Sequence, residues 1–207
     1  MISLRQFILG PLENNTYLLT DREKSEAVII DPSFDSTQLS KILFQEGFHL
    51  SQVWITHAHF DHTIGIFDLP LGDIRIALHA ADMGLWRSGG GAENFNIPKK
   101  VYPGISLDLS RMGTVRIGNT SVKVLHTPGH TPGHVAFYLR EEKMAFVGDL
   151  IFKNGIGRTD LPGGDYLTII QSIQEKIFTL PEDTRLLPGH GPETTVSIER
   201  ASNPFLS

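Results

Sequence analysis

The sequence contains no cysteine. Disulfides, thiolate metal ligands and a cysteine nucleophile are therefore excluded together, while nothing follows about redox compartment. A serine elbow of the form Gly-x-Ser-x-Gly is also missing, so hydrolytic chemistry would need another source of attacking oxygen. Basic residues are few: 18 Lys and Arg stand against 23 Asp and Glu, for a formal charge of −5. They draw no basic footprint, and no nucleic-acid partner is expected. No apolar run approaches membrane-spanning length. The segment Met1 to Leu9 lacks the charged leader of a signal peptide and reads as a strand. A cytoplasmic location without a membrane partner is the expectation, and the oligomeric state is left open.

What the chain does have is clustered histidine. Thr56-His57-Ala58-His59-Phe60-Asp61-His62 puts three imidazoles and one carboxylate within six positions, directly after the apolar Val53-Trp54-Ile55. That mixture suits zinc, iron or manganese better than calcium or magnesium. The alternation His57-x-His59-x-Asp61 leaves a strand on one face, with His62 following on the turn. One short loop can thus serve two neighbouring metal positions.

Three more donors follow apolar segments. Thr127-Pro128-Gly129-His130-Thr131-Pro132-Gly133-His134 carries two histidines across tight turns, one read as a ligand and one as its support. Asp149 ends a strand beside Gly148, where a backbone without a side chain permits close approach. Pro188-Gly189-His190 repeats the turn-and-histidine arrangement. Donors converging from separate elements are what a binding site requires.

Periodicity and turn signals predict a mixed α/β chain. Strands are expected at 2–9, 15–20, 27–30, 53–56, 75–78, 105–109, 114–117, 121–126, 134–140, 143–148 and 184–187. Ser36 should cap a helix with Leu39, Ile42, Leu43 and Phe44 on its apolar face, ending near Gly47. Further helices are expected from 63–69, over 80–87, across Ile169 to Phe178, and over 193–201. Residues 89–104, which open with Gly89-Gly90-Gly91, read as a mobile loop, and 153–165 as a long glycine-rich loop. No linker-like shift in composition interrupts the pattern, so a single domain over 1–207 is expected.

The order His57-x-His59-x-Asp61-His62, then His130 in Thr-Pro-Gly-His, Asp149 in Gly-Asp and His190 in Pro-Gly-His resembles the metallo-β-lactamase-fold superfamily of hydrolases. More narrowly, the chain resembles small glyoxalase II-type proteins (hydroxyacylglutathione hydrolases) that lack an appended helical domain. The resemblance implies a four-layer α/β/β/α sandwich with metals at one edge of two sheets. It implies His57, His59 and His130 on one metal, Asp61, His62 and His190 on the other, and Asp149 bridging them. Asp31 matches an aspartate that supports the ligands without binding metal, and His134 is expected to do likewise. His126 matches no ligand position, and His49 and His79 are expected to be ordinary surface or packing residues.

The implied cofactors are two divalent ions, zinc foremost, with iron or manganese as alternatives. A hydroxide held between them would hydrolyse a small-molecule thioester such as S-lactoylglutathione. Asp61 and Asp149 are the expected catalytic carboxylates, Asp61 also serving to hold or accept a proton. Arg158 is the expected substrate contact, a cation for a carboxylate-bearing thioester. The alternative is a local ion pair with Asp160 that fixes the loop. Gly155-Ile156-Gly157-Arg158-Thr159-Asp160 lacks the tyrosine of the larger glyoxalase II enzymes and resembles the persulfide dioxygenases, which use a single iron. A dioxygenase, or another hydrolase of the fold (lactonase, lactamase or phosphodiesterase), therefore stands beside the thioesterase reading.

Overall fold

The computed structural model describes residues 1–70 and 72–206; Ser207, the last residue of the expected domain, lies outside the described residues. The first half of the chain forms β1 (Ile2–Leu9), β2 (Asn14–Asp21), β3 (Glu26–Ile30), α1 (Thr37–Glu46), β4 (His49–Trp54), β5 (Arg75–Leu78), α2 (Met83–Ser88) and β6 (Leu107–Asp108). Its six strands make one sheet in sequential order, antiparallel from β1 to β3 and parallel from β3 to β6. Parallel neighbours need crossovers, and α1 lies in the first of these while α2 lies between β5 and β6.

The second half forms β7 (Thr114–Ile117), β8 (Thr120–His126), β9 (Val135–Leu139), β10 (Met144–Gly148), a small hairpin of β11 (Ile151–Phe152) and β12 (Gly155–Ile156), α3 (Tyr166–Ser172), β13 (Arg185–Pro188), β14 (Thr194–Thr195) and α4 (Val196–Ser202). The larger sheet here runs β14-β13-β10-β9-β8-β7.

Strand alternation divides the apolar residues between layers. Val28 and Ile30 face the other sheet, meeting Val135, Phe137 and Phe146, while Ala27 and Ile29 face Leu39 and Leu43 of α1. The outer face of the second sheet sends Ala136, Tyr138, Ala145 and Val147 against Ile169, Ile173, Ile177 and Val196. Trp54 and Phe137 meet between the sheets with ring centroids 5.2 Å apart. Each such side chain contributes about 1.5–3 kcal/mol by burial. Three apolar interfaces separate four layers, giving the expected α/β/β/α sandwich.

The strand directions create an open edge. β3, β4 and β5 run parallel, and β8, β10 and β13 share one direction because β9 opposes both β8 and β10. Asp31 follows β3, the first histidine cluster follows β4, His130 follows β8, Asp149 follows β10 and His190 follows β13. Ligands in open α/β sheets gather at such carboxyl ends.

Several local expectations are corrected. Ser36 occupies the N-cap position of α1, but its hydroxyl donates to Ser33 O at 2.7 Å and caps nothing. Phe44 points to solvent. The helix expected from 63–69 is a 3₁₀ turn, Ile64–Asp68, which gives way to extended backbone at Leu69 before Pro70. The helix expected over 80–87 is a 3₁₀ turn, Ala80–Asp82, running into α2. The strand expected at 105–109 shrinks to Leu107–Asp108 before a 3₁₀ turn. The helix at 166–178 changes to π geometry over Ile173–Ile177, with Phe178 N donating to Ile173 O at 2.9 Å. That wider turn suits the four-residue spacing of the buried Ile169, Ile173 and Ile177. The closing helix starts at Val196, because Thr194–Thr195 pairs with β13 first.

The loop after α2 holds one 3₁₀ turn, Ala92–Phe95. Gly89, Gly90 and Gly91 all adopt positive φ. Gly90 O accepts from Phe60 N at 3.0 Å, and a Cβ at Gly90 would lie 2.5 Å from Phe60 N. No helix among the described residues is long and apolar enough to cross a membrane.

Candidate metal centre

The sheet hydrogen bonding runs past the end of β4, where Ile55 N donates to Ala77 O at 3.0 Å. The chain then breaks out of the sheet because Asp31 captures the next residue. Its carboxylate accepts from Thr56 N at 2.8 Å and from Thr56 Oγ1 at 2.6 Å. Asp31 itself sits at φ 50°, a left-handed conformation that aspartate tolerates better than most residues. Thr56 Oγ1 lies 3.1 Å from His57 Nδ1. With its hydroxyl proton given to Asp31, this oxygen accepts from the imidazole and leaves His57 Nε2 unprotonated.

His57, His59 and His130 form one three-donor group, their nearest ligand atoms all within 4.8 Å of one another. His59 Nδ1 and His130 Nε2 are 2.9 Å apart. His130 is oriented from behind by donating Nδ1–H to the Arg158 carbonyl at 2.7 Å. Asp61, His62 and His190 form a second group on the same criterion. His62 Nδ1 lies 3.1 Å from Asp31 Oδ2, and His190 donates Nδ1–H to Leu12 O at 3.0 Å. In His57, His62, His130 and His190 one nitrogen is committed to the protein and the other turned toward the centre, which is how a supporting shell sets the tautomer of a metal ligand.

Asp149 stands between the groups. One oxygen lies 3.4 Å from His62 Nε2, and the other lies 3.6 Å from His190 Nε2 and 3.8 Å from His130 Nε2. Glycines at the end of β10 and just past β13 make room. A Cβ at Gly148 would lie 2.5 Å from Thr56 Oγ1, and one at Gly189 would collide with Asp149 itself.

Burial and charge act strongly on these groups. Burial drives His57 well below the ordinary imidazole range, reinforced by His62. It also lowers His59 to about 4, with His130 adding to the effect. Burial opposes charge on His62 as well, yet Asp149 and Asp61 beside it hold its imidazole well above the usual value. Burial would raise Asp61, but His62 and the bond from His190 pull it down to about 2. Asp149, likewise resisted by burial, is held far below the carboxylate range by His62.

The side chains fit divalent ions by what they leave unpaired. His57 Nε2, His62 Nε2 and Asp149 Oδ1 are buried without a hydrogen-bond partner. Such atoms are costly unless something coordinates them. Nitrogen and carboxylate donors in two groups of three are suited to divalent transition metals.

All seven donors expected from the sequence gather here, and Asp31 supports two of them. His134 stacks on His57 at 5.2 Å and bonds Thr127 Oγ1 at 2.9 Å, touching ligand rings by packing. The Arg158 guanidinium is exposed and forked onto Asp160 at 2.8 and 2.7 Å, so its side chain takes the local pairing and its carbonyl serves the centre. His79 and His126 stack at 4.2 Å, away from the donor groups. Sequence reading missed Asn14, whose amide donates to Asp61 Oδ2 at 2.9 Å, and Asp82, whose carboxylate accepts from Ala58 N at 3.0 Å. Neither has a local motif; a polar residue at a strand start after a turn was the one available signal for Asn14.

The chain is similar to known proteins over most of its length. Residues 9–190 match the family model of the metallo-beta-lactamase superfamily. The probable metallo-hydrolase YqgX of Bacillus subtilis is 37% identical, over 98% of this chain and 97% of its own. The hydroxyacylglutathione hydrolase GloC of Haemophilus influenzae is 36% identical over 94% and 93%. The mitochondrial persulfide dioxygenase ETHE1 of Mus musculus is 34% identical over 100% and 76%. Among solved structures, the BLEG-1 B3 metallo-beta-lactamase superposes with a TM-score of 0.91 at 37% identity, covering 99% of this chain and 100% of that one. TTHA1623 in a di-iron-bound form gives 0.84 at 36%, covering 98% and 100%. The chain belongs to the metallo-β-lactamase superfamily.

Proposed function

We propose that the chain, read as one hydrolase domain over 1–207, hydrolyses small-molecule thioesters, with His57, His59 and His130 holding one divalent ion, Asp61, His62 and His190 a second, and Asp149 bridging. The observation that carries the reading is that one buried carboxylate faces two complete three-donor groups. Zinc is the proposed metal, with iron or manganese as alternatives. When bound, such a pair of ions supplies Lewis acidity and lowers the pKa of a water toward 7. The overall change adds water across the acyl carbon–sulfur bond, giving a carboxylate, a thiol and a proton.

The protein's own part is to hold the imidazoles in place and the carboxylates ionised. Asp149 neutralises positive charge on both sides of the centre. Asn14 donates to Asp61 at 2.9 Å and favours its ionised form, which suits an anchor. Arg158, Leu12 and Thr56 fix the rings of His130, His190 and His57 through the bonds described above. The thioester choice follows the GloC relative, 36% identical across nearly the whole of both chains.

A second reading, persulfide dioxygenase, is favoured by the ETHE1 relative at 34% and by the Gly157-Arg158-Thr159-Asp160 loop. The test is metal content per chain together with thioester cleavage and oxygen consumption on the same preparation. Two equivalents of metal with thiol release and no oxygen uptake is the expected result. One tightly held iron with oxygen uptake from a persulfide would replace the hydrolase reading.

A further inference from the structure

Asp82 belongs to neither donor group, yet it touches the loops that carry both halves of one. It ends the 3₁₀ turn after β5, with its side chain 1% exposed. A carboxylate so deeply buried is tolerable only if hydrogen bonds satisfy it. Its Oδ2 accepts from Ala58 N at 3.0 Å and from Thr131 Oγ1 at 2.8 Å, and its Oδ1 accepts from Gly133 N at 2.6 Å. Ala58 lies between His57 and His59 on a loop of the first sheet. Thr131 follows His130, and Gly133 precedes His134, on a loop of the second.

We infer that Asp82 is a positioning residue that clasps these two loops together and so sets the geometry of the His57, His59 and His130 group. The inference rests on the proposal that this group holds its own ion. Val135 N donates to Thr56 O at 2.8 Å and ties the same loops at their base; Asp82 ties them beside the donors. All three partners of the carboxylate are donors, so only an acceptor on both oxygens satisfies them. An amide at this position would turn N–H toward N–H. Gly133 is matched to the clasp, since a Cβ there would lie 2.6 Å from Asp82 N and 2.7 Å from Asp82 Cγ. The second group, Asp61, His62 and His190, makes no hydrogen bond with Asp82 among the described residues, and a positioning role predicts that it is spared.

The test uses the full chain loaded with cobalt(II), whose visible bands report each site as a chelator removes it. His59→Ala marks the band belonging to the first group. In Asp82→Asn and in Gly133→Ala that band should be lost at chelator concentrations about 10–100-fold lower than in the parent protein, the range of supporting-residue losses. The other band should keep its parent midpoint. Thr131→Val removes one arm of the clasp and should shift the same band by a smaller factor, which keeps the test open if Asp82→Asn fails to fold. Equal shifts in both bands, or unshifted bands with a lowered melting temperature of the metal-free protein, would make Asp82 a fold residue and overturn the inference. Uptake of one cobalt by the parent would sink the two-ion reading instead, and the clasp would then be judged by whether a His59-dependent band weakens in the variants.

Discussion

Nδ1 of His62 lies 3.1 Å from Oδ2 of Asp31, and both side chains are buried. The contact commits that nitrogen's proton to Asp31 and turns Nε2 toward Asp61 and Asp149. Asp31→Asn keeps the left-handed backbone, which asparagine also adopts, but replaces an acceptor with a donor facing Thr56 or His62. Metal at Asp61, His62 and His190 should weaken about 10–100-fold, read by metal retained after dialysis against graded chelator. Undiminished retention would show that the ring needs no such partner.

Asp149→Asn should lower activity more than His134→Ala does. The first removes the charge that faces both donor groups, whereas His134 touches the centre through its stacking on His57. Loss of a supporting contact typically costs about 10–100-fold, and loss of the Asp149 charge should exceed that if it bridges as proposed. Rates and metal content measured together decide the matter. Equal loss of both quantities in the two variants would mean the ligands are wrongly assigned.

Arg158→Ala separates a substrate clamp from a loop pin. If the guanidinium leaves Asp160 to fork a substrate carboxylate, KM for a glutathione thioester should rise with kcat nearly unchanged. KM for a neutral short-chain thioester should stay as it was. An equal effect on both substrates, or a fall in melting temperature with KM unaltered, assigns Arg158 to the loop.

Gly189→Ala tests the close fit around the Asp149 carboxylate. The added methyl group would collide with Asp149 and meet His62 Cε1, and no left-handed backbone is involved to confuse the result. Metal stoichiometry should fall while the far-ultraviolet circular dichroism of the variant matches that of the parent. Full retention of metal would show that the loop yields easily.

The first histidine cluster was legible because its four donors stand within six positions of one another, although the structure carries them past β4 on a loop and a 3₁₀ turn, Phe60–His62, and not on strand alternation. Local sequence also reached His130, Asp149 and His190, each marked by glycine or proline where a strand ends. Asp82 and Asn14 were not legible in that way. Their partners lie far off in sequence, 47 positions away for Asn14 and Asp61, and a single buried aspartate leaves no periodic trace. The error at 63–69 had a local cause, since helical spacing of apolar residues also fits a short 3₁₀ turn halted before proline. For Arg158 both outcomes were foreseen from the same two residues, and the fork onto Asp160 is the one seen.

The contact between Gly90 and Phe60 divides labour within the chain. Gly90 braces the ligand loop from below, whereas the segment from 92 to 104 contributes none of the seven donors. Phe95 is its aromatic neighbour to the loop, packed 4.8 Å from Phe60 and half exposed. Tyr102 is tied in as well, its hydroxyl accepting from Thr63 Oγ1 at 3.0 Å, so exchange within the segment should spare Phe95 and Tyr102 if the donors are to keep their places. The remaining positions of 92–104 are then the ones to randomise in a search for altered substrate preference.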